Sequence, residues 1–158
     1  MKRANLFRLF FSMLLLSMYG CHTDNLVDTN QEMPQRNWSS VNKVKAIVEI
    51  KDLAKSYNLR FKVRHTADYR YSNIFILMQL SAPGQPKITR RYEYKLAEAD
   101  GQWLGNGSGN LYDYSLPLLS GFHFPKTGSY TIEIEQNMRD NPLKEISDAG
   151  ITVTEIVR

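Results

Sequence analysis

The sequence predicts an all-β protein: an antiparallel β-sandwich of seven to eight strands, preceded by an N-terminal signal segment and a flexible tether. Three observations predict it. Apolar side chains recur at every second position from residue 44 onward. Glycine, proline and Asn/Asp pairs punctuate these runs. No segment sustains the three-to-four spacing of an amphipathic helix. A sheet with one apolar face must bury it, and a second sheet laid against the first is the economical solution.

The elements follow in order. Val44, Ala46, Val48 and Ile50 alternate with Lys45, Glu49 and Lys51. Tyr57, Leu59, Phe61, Val63 and His65 alternate with Asn58, Arg60, Lys62, Arg64 and Thr66. The run from Ile74 to Leu80 is almost wholly apolar, which predicts a strand covered on both faces. Ile88, Arg90, Tyr92, Tyr94 and Leu96 form a fourth alternating run, and Tyr112, Tyr114, Leu116 and Leu118 a fifth. Pro117 pushes that fifth run to an edge, because it cannot donate to a neighbouring strand. Tyr130, Ile132 and Ile134 make a sixth, and Ile151 and Val153 begin the last. Turns are expected at Ala82-Pro83-Gly84, Asp100-Gly101, the glycine-rich 105–110, Thr127-Gly128 and Asn141-Pro142. The expected core draws on Val48, Leu59, Phe61, Ile76, Met78, Ile132 and Ile134.

The N-terminus is of another kind. The chain has 158 residues and a formal charge of +4, but Lys2, Arg3 and Arg8 lie in the first twenty residues with no acid among them. Without that stretch the balance is +1, so the charge is no argument for nucleic acid. A basic start, a short apolar core from Leu9 to Leu16, and neutral residues up to Gly20 make a secretory signal over residues 1–20. The core is shorter than the roughly 20 apolar residues of a spanning helix. Residues 22–42 are polar, contain Pro34 and show no apolar period. They read as a tether with ends on the order of 25 Å apart, leaving residues 43–158 as the domain. Trp38 is the exception in it and is expected to pack on the domain.

Cys21 is the only cysteine. A disulfide needs two, and Cys21-His22 offers too few ligands for a metal. A catalytic thiol sits in a folded pocket beside a base, and Cys21 opens a polar stretch. Attachment is the remaining use. A cysteine after a short apolar core, preceded by Gly20, resembles the lipobox of bacterial lipoproteins, in which the thiol takes a diacylglyceryl group. Two or three acyl chains make membrane residence effectively permanent, each buried CH₂ contributing about 0.8 kcal/mol.

No constellation for catalysis is visible. His22, His65 and His123 have no metal-ligand spacing. The 105–110 stretch lacks the Gly-Lys-Ser/Thr ending of a phosphate loop, and Asp100-Gly101 lacks the acidic spacing of a calcium loop. No metal, cofactor or enzymatic activity is expected. Arg60, Lys62 and Arg64, with Arg90, Arg91 and Lys95, could face Glu93, Glu133 and Glu135 on a solvated sheet face. The connection from Arg64 to Asn73 is richer in recognition residues than a turn requires. Arg64, His65, Asp68, Tyr69 and Tyr71 there, with Trp103 and Arg139, are the candidate partner-binding residues. A pairing of Arg139 with Asp68 or Asp148 would instead only pin the loops. A stacking platform of Trp38, Tyr69, Tyr71 and Trp103 would make the protein a carbohydrate-binding module.

Three stretches, RHTADYRYSNIFILMQL, YKLAEADGQWLGNGSGNLYD and FPKTGSYTIEIEQNMRDNPLKEISDAGITVTEI, resemble the gliding motility lipoprotein GldH family of the Bacteroidetes. The likeness covers nearly the whole domain and rests on the spacing of Trp103-Leu104-Gly105, Phe124-Pro125, Gly128, Tyr130 and Gln136 through Arg139. Arg70 stands where the family pattern has a proline. The resemblance implies a non-enzymatic lipoprotein of the gliding machinery, which is tied to type IX secretion. Its expected partners are envelope proteins, and its expected place is the outer membrane, facing the periplasm.

Overall fold

The computed structural model describes residues 25–156. The expected signal segment, residues 1–20, and the expected lipidation site, Cys21, lie outside the described residues. Eleven strands are formed: β1 (Asn25–Glu32), β2 (Asn37–Trp38), β3 (Val44–Ile50), β4 (Ser56–Thr66), β5 (Asn73–Ser81), β6 (Ile88–Lys95), β7 (Asn106–Ser108), β8 (Leu111–Phe122), β9 (Gly128–Gln136), β10 (Leu143–Lys144) and β11 (Ile146–Ile156). Three of them are only two or three residues long, which leaves eight substantial strands. They build two antiparallel sheets, β1-β11-β4-β8-β7 and β3-β9-β5-β6, with a small β10-β2 ladder beside them. The fold is the all-β sandwich that the alternation predicts.

The seven expected core residues are all buried, at 1% exposure or less. β3 shows how the pattern becomes packing. Val44, Ala46, Val48 and Ile50 point inward, while Lys45, Ile47 and Glu49 point out. Each fully buried side chain of Val, Leu, Ile, Phe or Met size contributes roughly 1.5–3 kcal/mol. Surface pairs such as Lys43–Glu135 (2.9 Å) and Lys55–Glu155 (2.6 Å) are screened by solvent and contribute little. The core, not the ion pairs, holds the sandwich. Among the described residues, every buried side-chain nitrogen and oxygen lies within hydrogen-bond distance of a polar group.

Two sequence expectations are corrected. The tether does not extend over residues 22–42. Residues 25–32 form β1, which pairs with β11 from Asn25 opposite Thr154 to Glu32 opposite Asp148. Met33 and Trp38 behind it are core residues, at 4% and 0% exposure. The reason is that an edge strand is held by backbone hydrogen bonds and needs few apolar side chains. β1 buries only part of one face, through Val27, Thr29 and Gln31. The Thr29 hydroxyl adds to the ladder, donating to the Ile151 carbonyl (3.3 Å) and accepting from the Ile151 amide (3.1 Å). The placement of Trp38 on the domain stands.

The strand from Ile74 to Leu80 is also not covered on both faces. Ile74, Ile76, Met78 and Leu80 are buried, while Phe75, Leu77 and Gln79 are half-buried on the outer face. Pro117 does lie on an edge: β7 pairs only with residues 111–113 of β8, so β8 beyond them has no outer neighbour. Two tyrosines of the other sheet close that side. The Tyr92 hydroxyl donates to the Leu118 carbonyl and the Tyr94 hydroxyl to the Pro117 carbonyl, both at 2.6 Å.

Candidate functional site

The connections that the sequence singles out meet at one end of the sandwich. β5 pairs with β9, Ile76 opposite Gln136. The 67–72 connection entering β5 and the 137–142 connection leaving β9 therefore flank each other. Between them runs a groove of about 590 Å³, lined by Tyr71, Asn73, Phe75, Arg91, Asn137, Met138, Arg139 and Asp140.

Its walls are built from below. Gln136, 1% exposed, donates from Nε2 to the Asp140 carbonyl (3.1 Å) and accepts the Met138 amide (2.8 Å) at Oε1. One buried amide thus shapes the whole 137–140 turn. The Tyr71 hydroxyl donates to Asp140 Oδ2 at 2.5 Å and ties the two connections together. That carboxylate raises the Tyr71 phenol above its ordinary value. On the floor, the Arg91 guanidinium lies 4.1 Å over the Phe75 ring, and its Nε–H donates to Asn137 Oδ1 at 2.7 Å. The Met138 sulfur accepts the Phe75 amide at 3.2 Å. An aromatic ring, a thioether and two arginines in an open concavity are the side chains that interfaces favour. Phe75, Arg91 and Met138 were not among the predicted site residues. Their signal is the β5 register, which turns Phe75 outward once Ile74 and Ile76 turn in.

The predicted site residues divide. Tyr71 and Arg139 line the groove, and Asp68 is exposed in the same connection. His65 (0%) and Tyr69 (4%) are inside the protein and have no surface to offer a partner. Alternation along β4 explains this: Arg64 and His65 must face opposite ways. His65 sits among Tyr69, Trp103, Tyr112 and Tyr114, with ring centroids 4.4–5.8 Å away. Trp103 is half-buried there, so its part is to pack this cluster. Gly105 belongs to it as well, because a Cβ there would fall 2.5 Å from the Tyr114 ring. The cluster supports the loop from beneath. Arg64 points to the opposite face and pairs with Asp113 (2.6 Å) and Asp148 (3.6 Å), which holds its guanidinium above the ordinary value.

Other expectations are corrected. Asp148 is engaged by Arg64 and by the Asn30 amide (3.0 Å), and among the described residues Arg139 makes no ion pair. The basic strand β4 does not face Glu133 and Glu135, which lie on the other sheet; Lys62 pairs with Asp28 instead. The carbohydrate platform is absent, because Trp38 and Tyr69 are buried and only Tyr71 and Trp103 keep partial exposure.

His65 gives a pH-dependence. Its Nδ1–H donates to the Thr66 carbonyl at 2.7 Å. The Tyr114 hydroxyl gives its one proton to the Leu96 carbonyl (2.7 Å), so His65 Nε2 has only a loose 3.3 Å contact with the Tyr114 hydroxyl oxygen. Burial lowers the imidazole below its ordinary 6.5. The unfolded chain therefore takes up a proton before the folded one does. Stability contributed by neutral His65 is complete above pH 6.5 and is lost as pH falls from there toward the lowered folded value, with a slope of up to about 1.4 kcal/mol per pH unit. Urea titrations from pH 7.5 to 5 should show this decline, and His65→Gln should flatten it above pH 5.5.

The family model described as GldH lipoprotein matches residues 25–153, which begin at β1. A relative named gliding motility lipoprotein GldH homolog, from Christiangramia forsetii, is 28% identical over 156 residues, covering 94% of each chain. The gliding motility lipoprotein GldH of Flavobacterium johnsoniae is 24% identical, covering 86% of this chain and 88% of its own. Among solved structures, a carbohydrate-binding module specific for non-crystalline cellulose superposes with a TM-score of 0.42 at 9% identity, covering 78% of this chain and 69% of that one, too loosely to bear on function. The match across the whole described sandwich shows that this chain belongs to the GldH lipoprotein family.

Proposed function

We propose that the protein is a lipid-anchored component of the gliding motility and type IX secretion-associated envelope machinery, and that it works by docking to other envelope proteins without catalysis. Family membership carries this reading. The signal segment ending at Gly20 and the adjacent Cys21 supply the anchor. The outer membrane, with the domain in the periplasm, is its place. The groove between the 67–72 and 137–142 connections is the docking surface, with Phe75 and Met138 as apolar contacts and Arg139 and Asp140 as the charged rim. A half-buried ring on the outer face can be removed without opening the core, so function and folding are separable here.

Cross-linking in intact envelopes tests this. Wild-type protein should recover motility or secretion proteins. Phe75→Ser should lower that recovery at least fivefold while the melting temperature moves by only a few degrees. A fatty-acid probe should label wild type and not Cys21→Ala. Recovery of no such protein by wild type, or labelling that persists without Cys21, contradicts the reading.

A further inference from the structure

We infer that the end of the sandwich where β1 begins rests directly on the lipid surface that holds Cys21, so that the groove faces away from the membrane. This deepens the anchoring proposed above and rests on it. The first argument is the length of chain between anchor and fold. Asn25 is already paired with Thr154. Four peptide steps from Cys21 to Asn25 reach at most about 14 Å. A 21-residue tether would let the domain turn freely; a three-residue one holds it against the headgroups.

The strand registers say which end that is. Asn25 lies beside Thr154, Glu155 opposite Tyr57, and Tyr57 opposite Phe122. In the other sheet, Ile50 opposite Gly128 belongs to the same end, since the 51–55 and 123–127 connections join the two sheets there. The groove lies at the other end of strands as long as the 11-residue β4, about 35 Å away.

The chemistry of the two ends differs accordingly. The connections 51–55, 82–87 and 123–127 close the anchor end. They carry Lys51, Lys55, Lys87 and Lys126 against Asp52, and Lys55 is paired with Glu155 at the end of β11 (2.6 Å), which leaves an excess of two positive charges. The connections of the far end carry four bases and five carboxylates. Leu26 and Leu53 are each 44% exposed at the anchor end, as Val41 and Leu104 are exposed at the other, and Leu26 lines a groove of about 430 Å³ with Ile47, the ammonium groups of Lys51 and Lys55 and the carboxylates of Glu49, Asp52 and Glu155. The lysine excess suits an anionic bilayer surface, where the ammonium groups of Lys51, Lys87 and Lys126 meet phosphates and Leu53 enters the interface. The far-end connections have no such excess.

The test uses the full lipidated protein bound to vesicles of phosphatidylethanolamine and phosphatidylglycerol that carry a lipid-borne quencher. Cys21, the only native cysteine, is consumed by the thioether, so a single introduced cysteine can be labelled with a fluorophore without ambiguity. Labels at Leu53→Cys and Lys126→Cys should be quenched at least threefold more than labels at Leu104→Cys and Arg139→Cys. Both anchor-end positions are exposed, so loss of folding at one leaves the other to decide. Equal or reversed quenching on protein whose Cys21 is acylated by mass spectrometry overturns the orientation and leaves the anchor standing, as does a protein partner found covering Lys126 in the envelope. An unmodified Cys21 with no vesicle binding overturns both.

Discussion

Replacing Trp38 by alanine should lower the unfolding free energy by about 3–5 kcal/mol. Trp38 is fully enclosed, its ring lies 6.0 Å from that of Phe61, and its Nε1–H donates to the Asn42 carbonyl at 2.9 Å. The alanine variant leaves a cavity the size of an indole and removes the donor of that carbonyl. A domain of this size is stable by roughly 5–15 kcal/mol in all, so the loss is a large share of it. Trp38→Phe refills most of the space and should cost less than half as much. Urea unfolding followed by far-ultraviolet circular dichroism separates the two. A Trp38→Ala protein within 1 kcal/mol of wild type would mean that the 33–43 segment is not part of the cooperative unit.

Gly150→Val should be nearly as damaging, for a backbone reason. A Cβ at residue 150 falls 2.1 Å from the Thr29 carbonyl oxygen, 2.9 Å from Lys62 Cε and 3.0 Å from Asn30 Oδ1. The lysine can swing aside; the carbonyl is part of the β1–β11 ladder and cannot. Either β1 peels away or β11 shifts register, and a shift by one residue would turn Ile151 and Val153 out of the core. Peeling is the smaller loss. The melting temperature should fall by about 10 °C, corresponding to several kcal/mol, and amides of residues 27–31 should lose most of their protection from hydrogen exchange. Gly107→Ala is the control: its Cβ would come no nearer than 3.3 Å to the Tyr112 ring, and that side chain can adjust. If Gly150→Val leaves exchange in β1 unchanged, the close approach of the two strands is wrong. Detaching β1 would also lengthen the leash to Cys21, so this variant should weaken the difference in lipid quenching between the two ends.

The fold was legible where apolar alternation is strong. β3, β4, β5, β6, β8, β9 and β11 each follow from residues such as Val48, Phe61, Ile132 or Val153, because a period of two has one structural meaning. β1 was not legible. Its sequence, NLVDTNQE, reads as polar linker, and what makes it a strand is the unpaired edge of β11, a partner more than a hundred residues away. The site was half legible. Tyrosines and a histidine clustered in one connection mark that end of the molecule as special, but His65 and Tyr69 turned out to support the loop from inside. Composition cannot distinguish a tyrosine that touches a partner from one that packs beneath it.

By itself, the sequence determined the all-β class and most of the core, since these depend on local periodicity, and its resemblance to the GldH family was confirmed by the family match over residues 25–153. It also singled out Cys21 as the expected point of attachment, the subject of the labelling experiment proposed above. Tertiary structure alone decided that residues 25–42 belong to the fold, that Phe75, Arg91 and Met138 share a groove with Tyr71 and Arg139, and which end of the sandwich the chain enters. The physical reason is common to all three. Each depends on pairing between strands far apart in the chain, and that pairing is settled by long-range register and backbone hydrogen bonds rather than by any local pattern of side chains.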